Sequence, residues 1–152
     1  QYTWHPERSP DGPVAIIVSI PDQRVFVYRN GIRIAVSTCS TGKPGHATPT
    51  GVFTILQKNK DHKSNLYKDA KNNAAAMPFM QRLTWDGIAL HSGNLPGYPA
   101  SHGCVRLPLE FAKLDVEALK RDVIALMTAL AGSLLNCKPK AGRAALIAWP
   151  NC

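Results

Sequence analysis

The chain has 152 residues, 45% hydrophobic and 18% charged, the size and balance of one folded domain that can bury a core without metal or disulfide staples. Its net charge of +8 suits a polyanion, either nucleic acid or an anionic cell wall, and suits plain solubility equally well. Zinc-finger spacing, RNA-binding aromatic signatures and dense Lys/Arg runs do not occur, which argues against a nucleic-acid partner, and no apolar run has the length of a membrane span.

Residues 1–13 are polar and Pro-rich and read as an N-terminal arm. Residues 14–20 form a short β-branched run, a strand candidate. Residues 24–29 alternate polar with apolar, Asn30-Gly31 is a strong hairpin signal, and residues 32–38 return as a second strand. Residues 40–51 are a Gly-, Pro- and Thr-rich loop, and a strand resumes over 52–56. Residues 57–77 are polar with few periodic apolar positions, so a long loop acting as a lid is expected there. Two more strands are expected over 78–83 and 87–91, then a loop over 92–103. Pro108 precedes apolar residues at helical spacing, which predicts a helix over about 109–120. Residues 123–135 fit either more helix or a short strand at 123–126, and 144–149 is a last apolar run.

Of the four cysteines, Cys137 and Cys152 bracket a basic tail. They form either a disulfide, contributing on the order of 3 kcal/mol, or two unpaired thiols. Cys39 lies on an expected strand and reads as a packing residue. His5, His46 and His62 lack ligand spacing and read as solvated loop residues, so neither metal nor cofactor is expected. Trp4, Trp85 and Trp149 read as core or edge fillers, with a glycan groove as the alternative. The chain begins at Gln1 rather than Met, so the absence of a targeting segment says nothing about export.

The chemistry gathers in His91-Ser92-Gly93 and in Ser101-His102-Gly103-Cys104-Val105-Arg106-Leu107. A thiol needs a base or positive charge nearby to act as a nucleophile, and His91, His102 and Arg106 are candidates. Gly103 permits a sharp turn that aims successive N–H groups at one point, as an oxyanion hole requires. Each residue alone has a plain reading: Cys104 as packing, His102 as solvated loop, Arg106 as surface charge. Together they support acyl transfer through a thioester.

The 101–107 run resembles the Ser/Thr-His-Gly-Cys-apolar-Asn/Arg signature of L,D-transpeptidase (YkuD-like) catalytic domains. Ile88-Ala89-Leu90-His91 resembles the strand ending in that family's upstream His. Ser40-Thr41-Gly42 and Thr48-Pro49-Thr50-Gly51-Val52-Phe53 resemble its STG and TPTG segments. Residues 19–34 resemble its opening strand pair, and Met77-Pro78-Phe79 its Met-Pro-aromatic turn. Ser92 departs from the Gly many members carry after the His.

The resemblance implies a mainly β fold, a YkuD-like β-sandwich with a mixed sheet and at least one packed helix after the motif. The catalytic domain spans 14–126, and a C-terminal extension covers 127–152. Cys104 is then the nucleophile and His91 the base in preference to His102, with N–H groups around Gly103 and Cys104 holding the oxyanion. A backbone carbonyl at Ser92 or Gly93 orients the His91 ring. Gly93 is the expected one, with Ser92, Ser101 and Arg106 as substrate contacts. The implied activity is a peptidoglycan L,D-transpeptidase that crosslinks diamino acids of two stem peptides in the periplasm or cell envelope, with carbapenem β-lactams as inhibitors. The alternatives are an L,D-carboxypeptidase or wall-protein-releasing hydrolase on the same site, or a silent wall-binding module.

Overall fold

A computed structural model describes residues 1–118 and 123–129. The strands Val14–Ser19 (β2), Arg24–Arg29 (β3) and Ile32–Thr38 (β4) form an antiparallel meander. Asn30 and Gly31 both take positive φ, 50° and 74°, the two-residue turn whose twist matches that of its strands. Pleating puts Ile16 and Val18 of β2, Val25 and Val27 of β3 and Ala35 of β4 on one face, where they form the core.

The expected N-terminal arm is part of this sheet. Tyr2–Trp4 (β1) pairs with β4, and Tyr2 and Trp4 pack their rings on Phe111 at 5.8 and 5.6 Å. Tyr2 and Trp4 share the inward face, but Tyr2 stays 41% exposed and three residues are too short a run to show alternation, which hides a docked edge strand ahead of a Pro-rich stretch. The ambiguity after the helix resolves as a strand, Ile124–Thr128 (β12), which lies between β2 and Gly51–Thr54 (β5), parallel to β2 and antiparallel to β5. Its Ala125 and Met127 enter the core. The expected domain end at 126 therefore falls inside a strand whose Thr128 pairs with Ser19. The calls on Cys137, Cys152 and residues 144–149 lie outside the described residues.

A second, four-stranded sheet carries the motif strands. It comprises Gln57–Asn59 (β6), Met80–Arg82 (β9), Ala89–Ser92 (β10) and Val105–Leu107 (β11), in the order β11-β10-β9-β6. β10 and β11 are parallel and the other pairs antiparallel. The expected long loop is thus partly strand. After β6, Lys63–Lys68 (β7) and Ala74–Ala76 (β8) make a separate antiparallel hairpin. The helix Leu109–Ala118 (α1) places the fully buried Phe111 and Ala112 in the core shared by both sheets.

One polar pair joins helix to sheet. Gln81 of β9 donates from Nε2 to Oδ2 of Asp115 in α1 at 2.6 Å, and both residues are fully buried. Gln81 Oε1 and Asp115 Oδ1 are then two acceptors without a donor. A proton on Asp115 supplies the missing donor and closes a cyclic acid–amide pair. Burial, outweighing the Gln81 hydrogen bond and the charge of Lys58, pushes the Asp115 carboxyl up to about 7. A carboxyl raised in the folded state binds a proton that the unfolded chain releases, so stability falls as pH rises from about 4 to about 7 and is level above that. Asp115→Asn keeps the cyclic pairing at every pH. Chemical denaturation should show the variant gaining on the parent across that window, by roughly 2–4 kcal/mol at pH 8. A difference independent of pH would show that Asp115 is ionised in the fold.

Candidate active site

The pleat of the smaller sheet sorts its residues between core and cleft. Leu90, Val105, Leu107 and Gln81 point to the core and are buried. Met80, Arg82, Ala89, His91, Cys104 and Arg106 all line a cavity of about 520 Å³ on the other face. Register brings His91 opposite Arg106 and Ala89 opposite Arg82. The loop before β11 therefore delivers Cys104 beside the end of β10, although thirteen residues separate it from His91 in sequence. A larger depression of about 970 Å³ over β1, β3 and β4 contains neither residue.

The turn that presents Cys104 is held from two sides. Gly103 sits at φ +110°, and a Cβ there would stand 2.9 Å from Ile88 Cδ1, so both backbone and space call for glycine. The Ser101 hydroxyl donates to the Cys104 carbonyl and accepts the Gly103 N–H at 3.2 Å. From the other side Thr48 Oγ1 donates to the Gly103 carbonyl at 2.8 Å and accepts the Gly42 N–H at 2.8 Å. A side chain at Gly42 would overlap the His46 carbonyl, at 1.9 Å. Ser40 exchanges two backbone hydrogen bonds with Arg106, and Thr41 accepts from the N–H groups of Ala100 and Ser101. The Ser40-Thr41-Gly42 segment and Thr48 are thus the splint of the Cys104 turn. Ser101, expected as a substrate contact, is buried at the edge of the cleft with its hydroxyl engaged inside the turn.

His91 is buried, and its Nδ1 lies 2.7 Å from the Ser92 carbonyl. A carbonyl only accepts, so Nδ1 carries the proton and Nε2 keeps its lone pair. The orienting carbonyl is Ser92's and not Gly93's. The peptide that carries this carbonyl is fixed by the Gly93 N–H, bonded to Leu107 O at 3.1 Å, and Ser92 itself is buried, its own N–H bonded to Pro78 O at 2.8 Å. Gly93 lines the cleft, where a Cβ would stand 3.1 Å from the Arg106 side chain.

Burial pushes the His91 imidazole down to about 4, against the pull of the Ser92 carbonyl and with help from Arg106 and His62. Burial also raises the Cys104 thiol, against the Ala89 N–H and the charges of Arg106 and Arg82. The Cys104 S–H points to the Gly87 carbonyl, 3.4 Å from Sγ, a contact only the protonated thiol makes favourably. The resting pair is therefore neutral thiol and neutral imidazole. The Gly103 amide is taken by Ser101, whereas the Cys104 amide has no acceptor among the described residues.

His102 is not packed against a carbonyl as His91 is. Its ring stacks on Tyr67 of the β7–β8 hairpin at 4.6 Å and meets His46 edge-on at 4.8 Å. The hairpin thus roofs the cleft where a lid was expected. Of the histidines read as solvated, His5 pairs with Glu7 and His62 lines the cleft. Sequence reasoning passed over Arg82 and the backbone of Gly87 and Ala89, and period-2 spacing back from His91 would have found Ala89. Among the described residues no helix is long and apolar enough to cross a membrane.

Residues 13–114 match the family model YkuD, L,D-transpeptidase catalytic domain. No curated protein matches the chain. Among solved structures it is similar to an L,D-transpeptidase from Mycobacterium smegmatis, with 23% identity, TM-score 0.69, and coverage of 76% of this chain and 58% of that one. An L,D-transpeptidase in complex with imipenem is similar at 22% identity and TM-score 0.68, covering 76% and 58%. L,D-transpeptidase 3 from Mycobacterium tuberculosis, carrying a faropenem-derived adduct, is similar at 22% and 0.68, covering 75% and 59%. The chain thus spans under two thirds of the length of these neighbours, and the likeness is one of fold.

Alkylation of Cys104 by iodoacetamide, followed by peptide mapping against pH, reads the charge state of the pair. The raised thiol should give a rate that climbs with pH and reaches half its maximum above pH 9. Buried Cys39, pushed up to about 12, should lag far behind. A plateau already reached near pH 6 would mean a preformed thiolate–imidazolium pair and contradict the neutral one.

Proposed function

The chain belongs to the YkuD family of L,D-transpeptidase catalytic domains, and on that footing we propose that it is a cysteine acyltransferase acting on peptidoglycan stem peptides. The observation that carries the reading is that Cys104 and His91 line one cleft while the Ser92 carbonyl holds the imidazole in the tautomer a base requires.

In the proposed cycle His91 Nε2 takes the Cys104 proton as Sγ attacks the carbonyl of the third, diamino residue of a tetrapeptide stem. Because the pair starts neutral, proton transfer accompanies attack, and the positioned base raises the rate by the factor of about 10²–10⁴ usual for general-base catalysis. The oxyanion is held by the Cys104 amide, with the Gly103 amide serving the turn instead. Collapse breaks the amide bond, and D-Ala leaves with the proton from His91. The thioester on Cys104 is then attacked by an amine of a second stem, whose proton His91 accepts, giving the crosslink and free thiol. Water in place of the amine gives an L,D-carboxypeptidase.

Arg106, on the cleft beside His91, is assigned the terminal carboxylate of the donor. His102, stacked under Tyr67, shapes the roof rather than moving protons. Carbapenem-type β-lactams are assigned as acylating inhibitors, a reading supported by the imipenem complex and faropenem-derived adduct of structural neighbours. The substrate places the work in the periplasm or cell envelope.

Supplying disaccharide tetrapeptides to parent and Cys104→Ala chains and separating the products tests the proposal. Crosslinked dimers from the parent and none from the variant are expected. Trimmed tripeptide alone would make the protein a carboxypeptidase, and identical products from both chains would remove Cys104 from the chemistry.

A further inference from the structure

Cys104 is flanked by two guanidinium groups, and only Arg106 has so far been given a ligand. The other, Arg82, stands on β9 opposite Ala89, whose amide faces the Cys104 thiol. Its Nε donates to Gln57 Oε1 at 3.1 Å, and its guanidinium carbon lies 5.9 Å from the centre of the Trp85 ring. Two contacts therefore fix the group while its terminal nitrogens have no acceptor among the described residues. Among the described residues Arg82 has no carboxylate at ion-pair distance. A half-buried guanidinium, held in place and left without a counter-ion on the wall of a cleft, is built to take a planar anion through two parallel hydrogen bonds. Trp85 is 75% exposed and lines the same cleft. It contributes little to the core, yet its ring lies beside the guanidinium, as in sites where an apolar group and an anion are recognised together.

Spacing says what fits. Arg82 and Arg106 stand two strands apart in the sheet, and their register partners, Ala89 and His91, are two residues apart along β10. Strand separation and rise put their backbones roughly 12 Å apart, the span of about three to four extended residues. A tetrapeptide with a carboxylate at its end and another further up bridges that distance across the thiol.

Resting on the function proposed above, we propose that Arg82, with Trp85 beside it, is a second carboxylate subsite. It takes a carboxylate of the donor stem on the N-terminal side of the bond that breaks, while Arg106 takes the terminal one. The two charges set the direction in which the stem lies across Cys104.

The test is stem binding to the Cys104→Ala chain by calorimetry. Two tetrapeptides are used, identical except that the upstream carboxylates are free in one and amidated in the other. Amidation should weaken binding about tenfold in the Cys104→Ala chain and change nothing once Arg82→Gln is added. Arg82→Lys should restore part of the preference. Trp85→Ala, on the exposed rim, should weaken both stems alike. Equal binding of the two stems, or a preference that survives Arg82→Gln, would overturn the subsite while leaving crosslinking by the parent intact. Loss of both binding and crosslinking would sink the parent reading along with it. Should Arg82→Gln fail to fold, the comparison of the two stems on the Cys104→Ala chain still decides.

Discussion

Cys104 stands where it does because Gly103 turns the chain at φ +110° and two hydroxyl groups keep it turned. Neither Ser101 nor Thr48 touches the thiol. Ser101 closes the turn on itself, and Thr48 ties the Gly103 carbonyl to the Gly42 amide fifty-five and six residues away along the chain. Glycine takes this φ without strain, but a turn with unpaired amides still has a cost to be held open. The splint transfers that cost to a buried network in the 40–48 segment, leaving the Cys104 amide without an acceptor among the described residues.

The same economy governs the base. His91 is buried at the end of a strand, where an imidazolium would be poorly solvated, and its one fixed partner is a carbonyl. Burial and the nearby charge of Arg106 keep the ring neutral, and burial keeps the thiol protonated. An ion pair would react with any electrophile that entered. In the proposed cycle a neutral pair waits for a carbonyl whose developing charge draws the proton across, which ties reactivity to a correctly seated substrate. Arg82 and Arg106, both on the wall of the same cleft, are the groups proposed to take an anionic peptide in that seat.

Much of this was legible in the residues. The meander over 14–38 announced itself through alternation and Asn30-Gly31, and the motif around Cys104 through the conjunction of His, Gly and Cys. What escaped did so for physical reasons. β1 is three residues long, and its two inward rings, Tyr2 and Trp4, are too few to give a period. In the β7–β8 hairpin Leu66 is 76% exposed and Ser64 is the buried residue of β7, so the pattern that marks a half-buried strand is inverted. β12 reads as helix or strand because Ile124-Ala125-Leu126-Met127 suits both, and only its seat between β2 and β5 decides. The choice of the Ser92 carbonyl over Gly93 depends on one peptide's orientation, set by the Gly93 N–H bond to the Leu107 carbonyl that residue identities do not encode. Arg82 is read only once β9 is known to lie beside β10.

The account turns on Cys104 as an acyl acceptor activated by His91. Intact-mass spectrometry after exposure to a carbapenem, run on the parent, Cys104→Ala and His91→Ala chains, addresses that claim most directly. One adduct on the parent, none on Cys104→Ala, and formation slowed by about two orders of magnitude or more on His91→Ala is the expected result. An unmodified parent that is folded and reduced, or an adduct that persists in Cys104→Ala, would contradict it.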